Sequence, residues 1–420
     1  MNAEQEYIQI YCDNAELIQR QTGNQRINSM RDAACQSLKQ CGLPTRKVER
    51  YKYTDVDEAF SYNYGIDLQH IEVNADEPQL ICDYYGTAAD ITDGITALNT
   101  MLVQDFTAYH IQGQAAPISI TNHLQGFIDQ MRNRRILIVL DSGSEASVRI
   151  VDAISSRQPQ TAGAISSGDS PDGASGSSDK ITAASFLTTQ VVEIIMADNS
   201  HLDLYELSEI NDNCSRFSNI YIKVGRDCTL RHNNICLTGK LNRSMVNVSL
   251  QGQGSEVWLN GLAIADNAQH IDANTLIDHK APGCQSHELY KFIVDDHAVG
   301  AFAGKILVRE AAQKTISDEV NQNICATSEA RMFAQPMLEI YADDVRCSHG
   351  STVGKLDEAA LFYMQQRGIP LQQARILLMQ AFASEVIGQM KSTSMRDRLH
   401  LVTAKRLQGV ANKCTDCDIC

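Results

Sequence analysis

The sequence predicts a mainly β protein, a parallel β-helix set between helical N-terminal and C-terminal regions. Three observations lead there. From Val191 to Val308, short apolar runs are broken at regular intervals by turn residues, and no helix-length periodic segment interrupts them. Before residue 42 and again after Leu356 the apolar residues keep helical spacing. The strands also lack the tight two-residue hairpin turns of sandwiches and barrels, and many short, evenly spaced strands suit coils stacked one on the next.

Composition bounds the rest. With 420 residues, 43% of them apolar, the chain can hold two or three domains or one elongated one. Thirty-six basic against 51 acidic residues leave a net charge of −15, which repels phosphates and argues against a broad nucleic-acid footprint. The start, Met1-Asn-Ala-Glu-Gln-Glu, has neither a basic leader nor an apolar segment, and no stretch reaches the length of a membrane span, so the expected location is the cytoplasm. The 13 cysteines then read as reduced thiols, metal ligands and small core residues, with Cys82, Cys214, Cys228 and Cys236 assigned to the core.

Taken in order, residues 3 to about 41 read as two helices, with Ile8, Tyr11, Ala15 and Leu17 on one and Met30, Ala34, Leu38 and Cys41 on the other. Gly42 and Pro44 end the second. A basic and aromatic segment, Leu43 to Thr54, follows and reads as an ordered loop stacked on the core. A helix is expected around Thr96 to His110, and Arg135 to Leu140 is a clear strand. Residues 155–180, rich in Ser, Gly, Asp and Ala, cannot bury enough surface to order themselves and read as a disordered insertion between two strands.

Strands follow at Val191–Ala197, His201–Leu207, Ser218–Val224, Val246–Leu250, Glu256–Leu259 and Leu262–Ala265, the last two separated by a turn at Asn260-Gly261. At roughly 20 residues per coil, the segment from 135 to 350 without its insertion makes about nine coils. The expected boundaries are thus 1–134 for a mostly helical N-terminal region, 135–354 for the β-helix, 355–413 for a C-terminal helical region and 414–420 for a cysteine-rich tail.

The stretch Asp343 to Gly368 joins the two kinds of chain and carries a thiol and an imidazole. If Val345 to His349 is a strand, Cys347 and His349 leave its same face with Cα atoms about 6.6 Å apart, a spacing that can serve two irons of one cluster. The same pair also fits a buried Cys beside a surface His. Gly350-Ser-Thr-Val-Gly-Lys355 is not a nucleotide loop: only three residues separate its glycines, and Leu356 follows the lysine. A solenoid has two raw ends, each an exposed strand edge, and Cys347 and His349 fall on the last strand before the helices. Three helices follow, the first capped by Asp357 with Ala360, Leu361 and Met364 on its apolar face, and the second carrying Ala374, Leu377, Leu378, Ala381, Phe382 and Ile387. Their periodicity suits an end cap and a docking surface equally. The chain ends Cys414-Thr-Asp-Cys417-Asp-Ile-Cys420, whose spacing wraps three thiolates around one metal with a fourth ligand missing, or leaves three exposed thiols on a frayed tail.

The combination resembles the SufB/SufD family of iron–sulfur cluster assembly scaffold proteins. The resemblance rests on Gly42-Leu-Pro-Thr-Arg-Lys with Tyr51-Lys-Tyr-Thr54, Gln269-His-Ile-Asp272 with Thr275 to His279, Ser286 to Lys291, Gly300 to Val308, Ala312-Gln-Lys-Thr315, Pro336 to Tyr341 and the whole of Asp343 to Gly368. The Tyr-Lys-Tyr-Thr start favours the SufD branch over SufB, with Tyr51 where the family often has Trp. The resemblance implies a right-handed β-helix and a SufB-like paralogue as partner. It also implies a SufC-like ABC ATPase docked on residues 355–390, where Leu361, Phe362, Met364, Leu377, Leu378 and Phe382 supply the apolar contacts. It further implies a transient iron–sulfur cluster shared with the partner, His349 as iron ligand or proton donor and Cys347 as auxiliary thiolate. The sequence leaves open whether a chain without its partner forms a homodimer through the free edge. The family's assembly complexes are associated with a flavin, and no motif here assigns one to this chain. Cys414, Cys417 and Cys420 are accessory candidates on spacing alone.

The function expected is therefore that of a non-catalytic scaffold subunit. Two readings of other classes stand beside it. A β-helix enzyme acting on polysaccharide would use Asp266, Asp272, Asp278, Asp295 and Asp296, although Asp and Asn are also what turns between coils use. A stand-alone metal carrier would use the tail cysteines.

Overall fold

The computed structural model describes residues 3–61, 64–123, 130–153, 185–210 and 212–409. The insertion 155–180 and the tail with Cys414, Cys417 and Cys420 lie outside them. Seventeen strands make two parallel sheets among the described residues. One sheet holds β1 (Glu72–Ala75) and the even strands β2 (Asp105–Ile111), β4 (Gln130–Leu140), β6 (Phe186–Met196), β8 (Cys214–Val224), β10 (Leu241–Leu250), β12 (His270–His279), β14 (Val299–Val308) and β16 (Arg331–Ile340). The other holds the odd strands β3 (Ile118–His123), β5 (Glu145–Ala153), β7 (His201–Glu209), β9 (Thr229–Cys236), β11 (Glu256–Ala265), β13 (Gln285–Val294), β15 (Ile316–Cys325) and β17 (Arg346–Gly354). Each coil gives one strand to each sheet, and the parallel β-helix has about eight turns.

The coil is half as long again as the sequence reading expects. Ser215 stands in register with Leu241 and Val299 with Arg331, so one turn takes about 30 residues, within the range of solenoid repeats. The shorter estimate came from splitting strands at polar rungs. Asn260-Gly261 is no turn: β11 runs straight through it. Gly261 is there because a Cβ would stand 2.1 Å from the ring of Tyr290 on the next coil.

The real turns repeat one device. Gly143-Ser144, Asn199-Ser200, Asp227-Cys228, Gly254-Ser255, Gly283-Cys284 and Lys314-Thr315 each place a positive-φ residue before a buried hydroxyl or thiol. That side chain satisfies a turn carbonyl: Ser200 donates to Ala197 at 2.7 Å, Ser255 to Gly225 at 2.7 Å and Thr315 to Ala312 at 2.8 Å. Cys228 and Cys284 are therefore turn residues as well as core. Cys214 and Cys236 are buried as expected, but Cys82 is exposed, because the short helix α4 (Pro78–Tyr84) buries Leu80 and Ile81 instead.

The lumen is filled mainly by Ile, Leu and Val from both sheets, joined by Tyr290, Phe292 and Phe302 in the later coils. The helix expected over Thr96 to His110 is shorter. Asp93 caps α5 (Gly94–Leu102), and Asp105 onward pairs with β1 and β4 as strand β2, so the sheet begins well before residue 135. A local apolar run cannot tell a half-buried strand from a helix face; the waiting edge of β4 decides.

Helices α1 (Ala3–Thr22) and α2 (Gln25–Cys41) form as expected, with Gly42 at φ 67° closing α2. The basic aromatic segment is locked onto the solenoid. Tyr51 is buried, donates to Asp93 at 2.7 Å and lies under the guanidinium of Arg243 at 4.1 Å. Thr54 and Arg243 both bond Asp272.

At the other terminus, α7 (Leu371–Gly388) and α8 (Thr393–Leu407) cover the outside of the odd sheet. Met379, Ala383, Val386 and Ile387 pack with Leu262, Ile264, Ile293 and Ile324, and Arg406 bonds Asp266. These helices are a side cover and leave the end of the solenoid open. Helix α6 (Glu358–Gln366), capped by Asp357, has no buried residue. Among the described residues no helix is long and apolar enough to cross a membrane.

Candidate functional site

Strands β16 and β17 end the two sheets. Among the described residues each has one neighbour, β14 and β15 respectively, and one free edge. Pro336 is tolerated within β16 because an edge strand can spare its amide. Phe333, Ile340, Tyr341 and Val353 are large exposed apolar residues on or beside this last coil. A free, partly apolar strand edge of this kind is a template for another chain.

Cys347 and His349 lie on β17 as the spacing predicts, two apart on one face. Cys347 is half-buried and His349 exposed. Burial pushes the Cys347 thiol up, so in the isolated chain it is not a ready thiolate and a cation or partner must draw its proton off. Each residue tops a column of side chains. Below Cys347 stand Ser317 and Ser286 in register, their hydroxyls 2.6 Å apart, and His279, at the end of β12 in the other sheet, lies beside Ser286 at 2.9 Å. Desolvation lowers the pKa of His279 to about 4, so its imidazole is neutral.

Below His349 stand Glu319 and Glu288 in register. Burial, then their mutual repulsion for Glu319, holds both carboxyls well above the usual carboxylate range. Gly304 leaves room for this column, since a Cβ there would come within 2.3 Å of Glu319 Oε1. Among the described residues no group of three or more His, Cys, Asp and Glu side chains is drawn together as a metal site.

The columns were missed in the sequence, and the signal was there. Ser286-His-Glu288, Ser317-Asp-Glu319 and Cys347-Ser-His349 are one three-residue pattern repeated once per coil, each member in register with the next. A coil of roughly 20 residues could not bring them into line.

The helical residues named for docking divide. Phe362 is 64% exposed, and Leu377 is also exposed. Met364 is half-buried, whereas Leu361, Leu378 and Phe382 pack against the core on the odd sheet, with the Lys291 ammonium 4.3 Å from the Phe382 ring. Tyr363, 59% exposed, and Leu371 join the free surface, though neither was picked out. The aspartates of the polysaccharide reading are each engaged locally: Asp272 by Arg243, Asp278 by Arg309, Asp266 by Arg406, and Asp295 and Asp296 in one turn.

Residues 122–382, the solenoid from the end of β3 into α7, match the model described as SUF system FeS cluster assembly, SufBD core domain. Residues 1–77 and 71–116 match the SufBD protein N-terminal region. The chain belongs to the SufBD family. Among SufBD relatives, it is 27% identical over 404 residues to the iron-sulfur cluster assembly protein SufD of Escherichia coli, covering 90% of this chain and 92% of that one. It is 34% identical over 218 residues to an iron-sulfur cluster assembly SufBD family protein of Mycobacterium tuberculosis, where the match spans about half of each chain, 50% and 54%. A SufBD family protein of Synechocystis is 26% identical over 331 residues, 77% of this chain and 69% of that one. Cys347, His349 and both columns fall inside the SufBD core match.

Proposed function

We propose that this SufBD protein is a non-catalytic scaffold subunit of cytoplasmic iron–sulfur cluster assembly, working on a cluster it shares with a second β-helix chain. The open last coil carries the reading: a free strand edge, exposed apolar residues and the Cys347–His349 pair all lie there. A SufB-like paralogue pairs with this edge and supplies the remaining ligands. His349 is the iron ligand or proton donor, and Cys347 the auxiliary thiolate once its proton is drawn off by the incoming cation. Chains without the paralogue pair with themselves through the same edge.

A SufC-like ABC ATPase docks on the second surface, α6 with the start of α7. Phe362, Tyr363, Leu371 and Leu377 supply its free apolar contact, and closure of the ATPase moves α6 relative to the open end. Leu361, Leu378 and Phe382 hold the helices to the sheet, and Met364 sits between the two roles. Sulfur arrives from elsewhere, since no motif in the chain resembles a desulfurase.

The test is an anaerobic pull-down of the tagged full chain from its own cell extract, followed by cluster reconstitution. Recovery of an ABC ATPase and a second β-helix protein, with cluster yield lost in His349→Ala, supports the reading. Recovery of neither partner by folded protein overturns it. Truncation after Lys413 leaves cluster yield intact if Cys347 and His349 are the ligands, and abolishes iron binding if Cys414, Cys417 and Cys420 are.

A further inference from the structure

Glu288 and Glu319 are only 2% and 0% exposed and face each other as register partners inside the solenoid, Cα atoms about 4.8 Å apart. Of their four carboxyl oxygens one has a donor: Glu288 Oε2 accepts from the Thr275 hydroxyl at 2.7 Å. Glu288 Oε1 and both oxygens of Glu319 have none. The other two buried glutamates among the described residues are treated differently. Glu193 is bonded by Arg135 at 2.7 Å, and Glu206 by Arg216 at 2.5 Å.

A buried carboxyl without a donor is costly and is normally paired with a cation. Among the described residues no arginine, lysine or histidine takes that place, and yet the surrounding chain makes room for the acid side chains. Gly304 clears the volume of Glu319, and Gly261 clears the ring of Tyr290. Tyr290 follows Glu288 on the same strand face and is 1% exposed, and its hydroxyl also lacks a partner. Two carboxyls with three donorless oxygens thus stand in register in the lumen, with no third His, Cys, Asp or Glu drawn in to them among the described residues.

We infer that Glu288 and Glu319 form a binding site for a hard divalent cation of the manganese(II) or iron(II) class. Oxygen-only donors select such ions over those that prefer thiolate or imidazole. Glu319 is the register neighbour of His349, so an ion enters from the open end, one coil away. The binding site stands without the scaffold reading. Its role, holding iron(II) next to the strand where the cluster forms, rests on that reading.

The experiment titrates Mn2+ into the full chain, followed by electron paramagnetic resonance, with Glu288→Gln, Glu319→Gln and His349→Ala beside the wild type. One ion per wild-type chain is expected, with affinity reduced roughly tenfold or more in either glutamine variant. Mn2+ is also expected to raise the melting temperature of the wild type and not of Glu319→Gln, a readout available even where a variant folds less well. A wild type that binds no Mn2+, or glutamine variants that bind it equally, overturns the site. Cluster yield separates the two readings. If His349→Ala loses yield while the glutamine variants titrate normally, the scaffold survives and the cation site fails. If the glutamine variants lose Mn2+ while His349→Ala keeps full yield, the cation site survives and the cluster site fails.

Discussion

Tyr53 lies flat on Phe333, ring centroids 4.8 Å apart and planes 13° from parallel, and its hydroxyl reaches Gln335 at 3.1 Å. One ring belongs to the N-terminal segment and the other to β16, the last strand of the even sheet. The start of the chain therefore braces the open end. Tyr53→Phe should cost about 1 kcal/mol for the lost hydrogen bond. A double-mutant cycle of Tyr53→Ala with Phe333→Ala should return a coupling of about 0.5–1.5 kcal/mol in urea unfolding. A coupling near zero would show that the stack does not brace.

The same segment is pinned from below by Asp272, which bonds both Arg243 and Thr54 inside the protein. Asp272→Ala leaves a buried guanidinium without its carboxylate and should destabilise by about 3–5 kcal/mol. Chemical denaturation measures it, with Glu58→Ala, which breaks the exposed pair with Lys240, as a comparison expected to cost about 1 kcal/mol or less.

Gly261→Ala tests the corrected reading of β11. Its Cβ would stand 2.1 Å from the Tyr290 ring, so the two coils must spread, at a cost of about 1–3 kcal/mol. A true turn glycine with open space around it, such as Gly283 at φ 67°, would instead be strained through its backbone alone. A fall in melting temperature that is rescued by Tyr290→Leu identifies the ring as the cause.

Raised carboxyl pKa values make stability fall as pH rises. The unfolded chain releases the protons of Glu288 and Glu319 in the ordinary carboxylate range while the folded chain still holds them. Over that interval the native state binds more protons, and stability drops by about 1.4 kcal/mol per pH unit for each proton held. The neutral His279, lowered to about 4, works in the opposite sense and only below the normal histidine range, where stability falls with acid. Between pH 7 and 8 the glutamates dominate of these three groups. Urea melts at those two pH values, in metal-free buffer, should show a smaller decline in the Glu288→Gln, Glu319→Gln double variant than in the wild type.

Phe362→Ala and Tyr363→Ala in α6 should leave stability within about 0.5 kcal/mol, because both rings are mostly exposed. Affinity for an ABC ATPase partner, measured by calorimetry, should fall by about 2 kcal/mol for the better-placed ring. Phe382→Ala should do the reverse, lowering the melting temperature through lost packing with Lys291 and the odd sheet.

The route from sequence to site was uneven for physical reasons. Cys347 and His349 were legible because period-two alternation along one strand is a local property. Glu288 and Glu319 were not, because their meaning depends on which residues stack across coils. That stacking needs the true coil length, and polar rungs such as Asn260-Gly261 imitate turns. The division of α7 was hidden for a related reason. Leu377 and Leu378 are adjacent apolar residues, and only the sheet beneath decides that one faces solvent and the other the core.

By itself the sequence determined the strand-rich middle, the helices at either terminus and the placing of Cys347 and His349 at the solenoid's end. All of these follow from neighbours a few residues apart. Only the tertiary structure decided that the end stays open, that Tyr53 returns to brace it, and that two acids stand below His349 with three of their four oxygens lacking a donor. Those are relations between residues separated by one coil or by 280 residues, and they exist only once the coils have stacked.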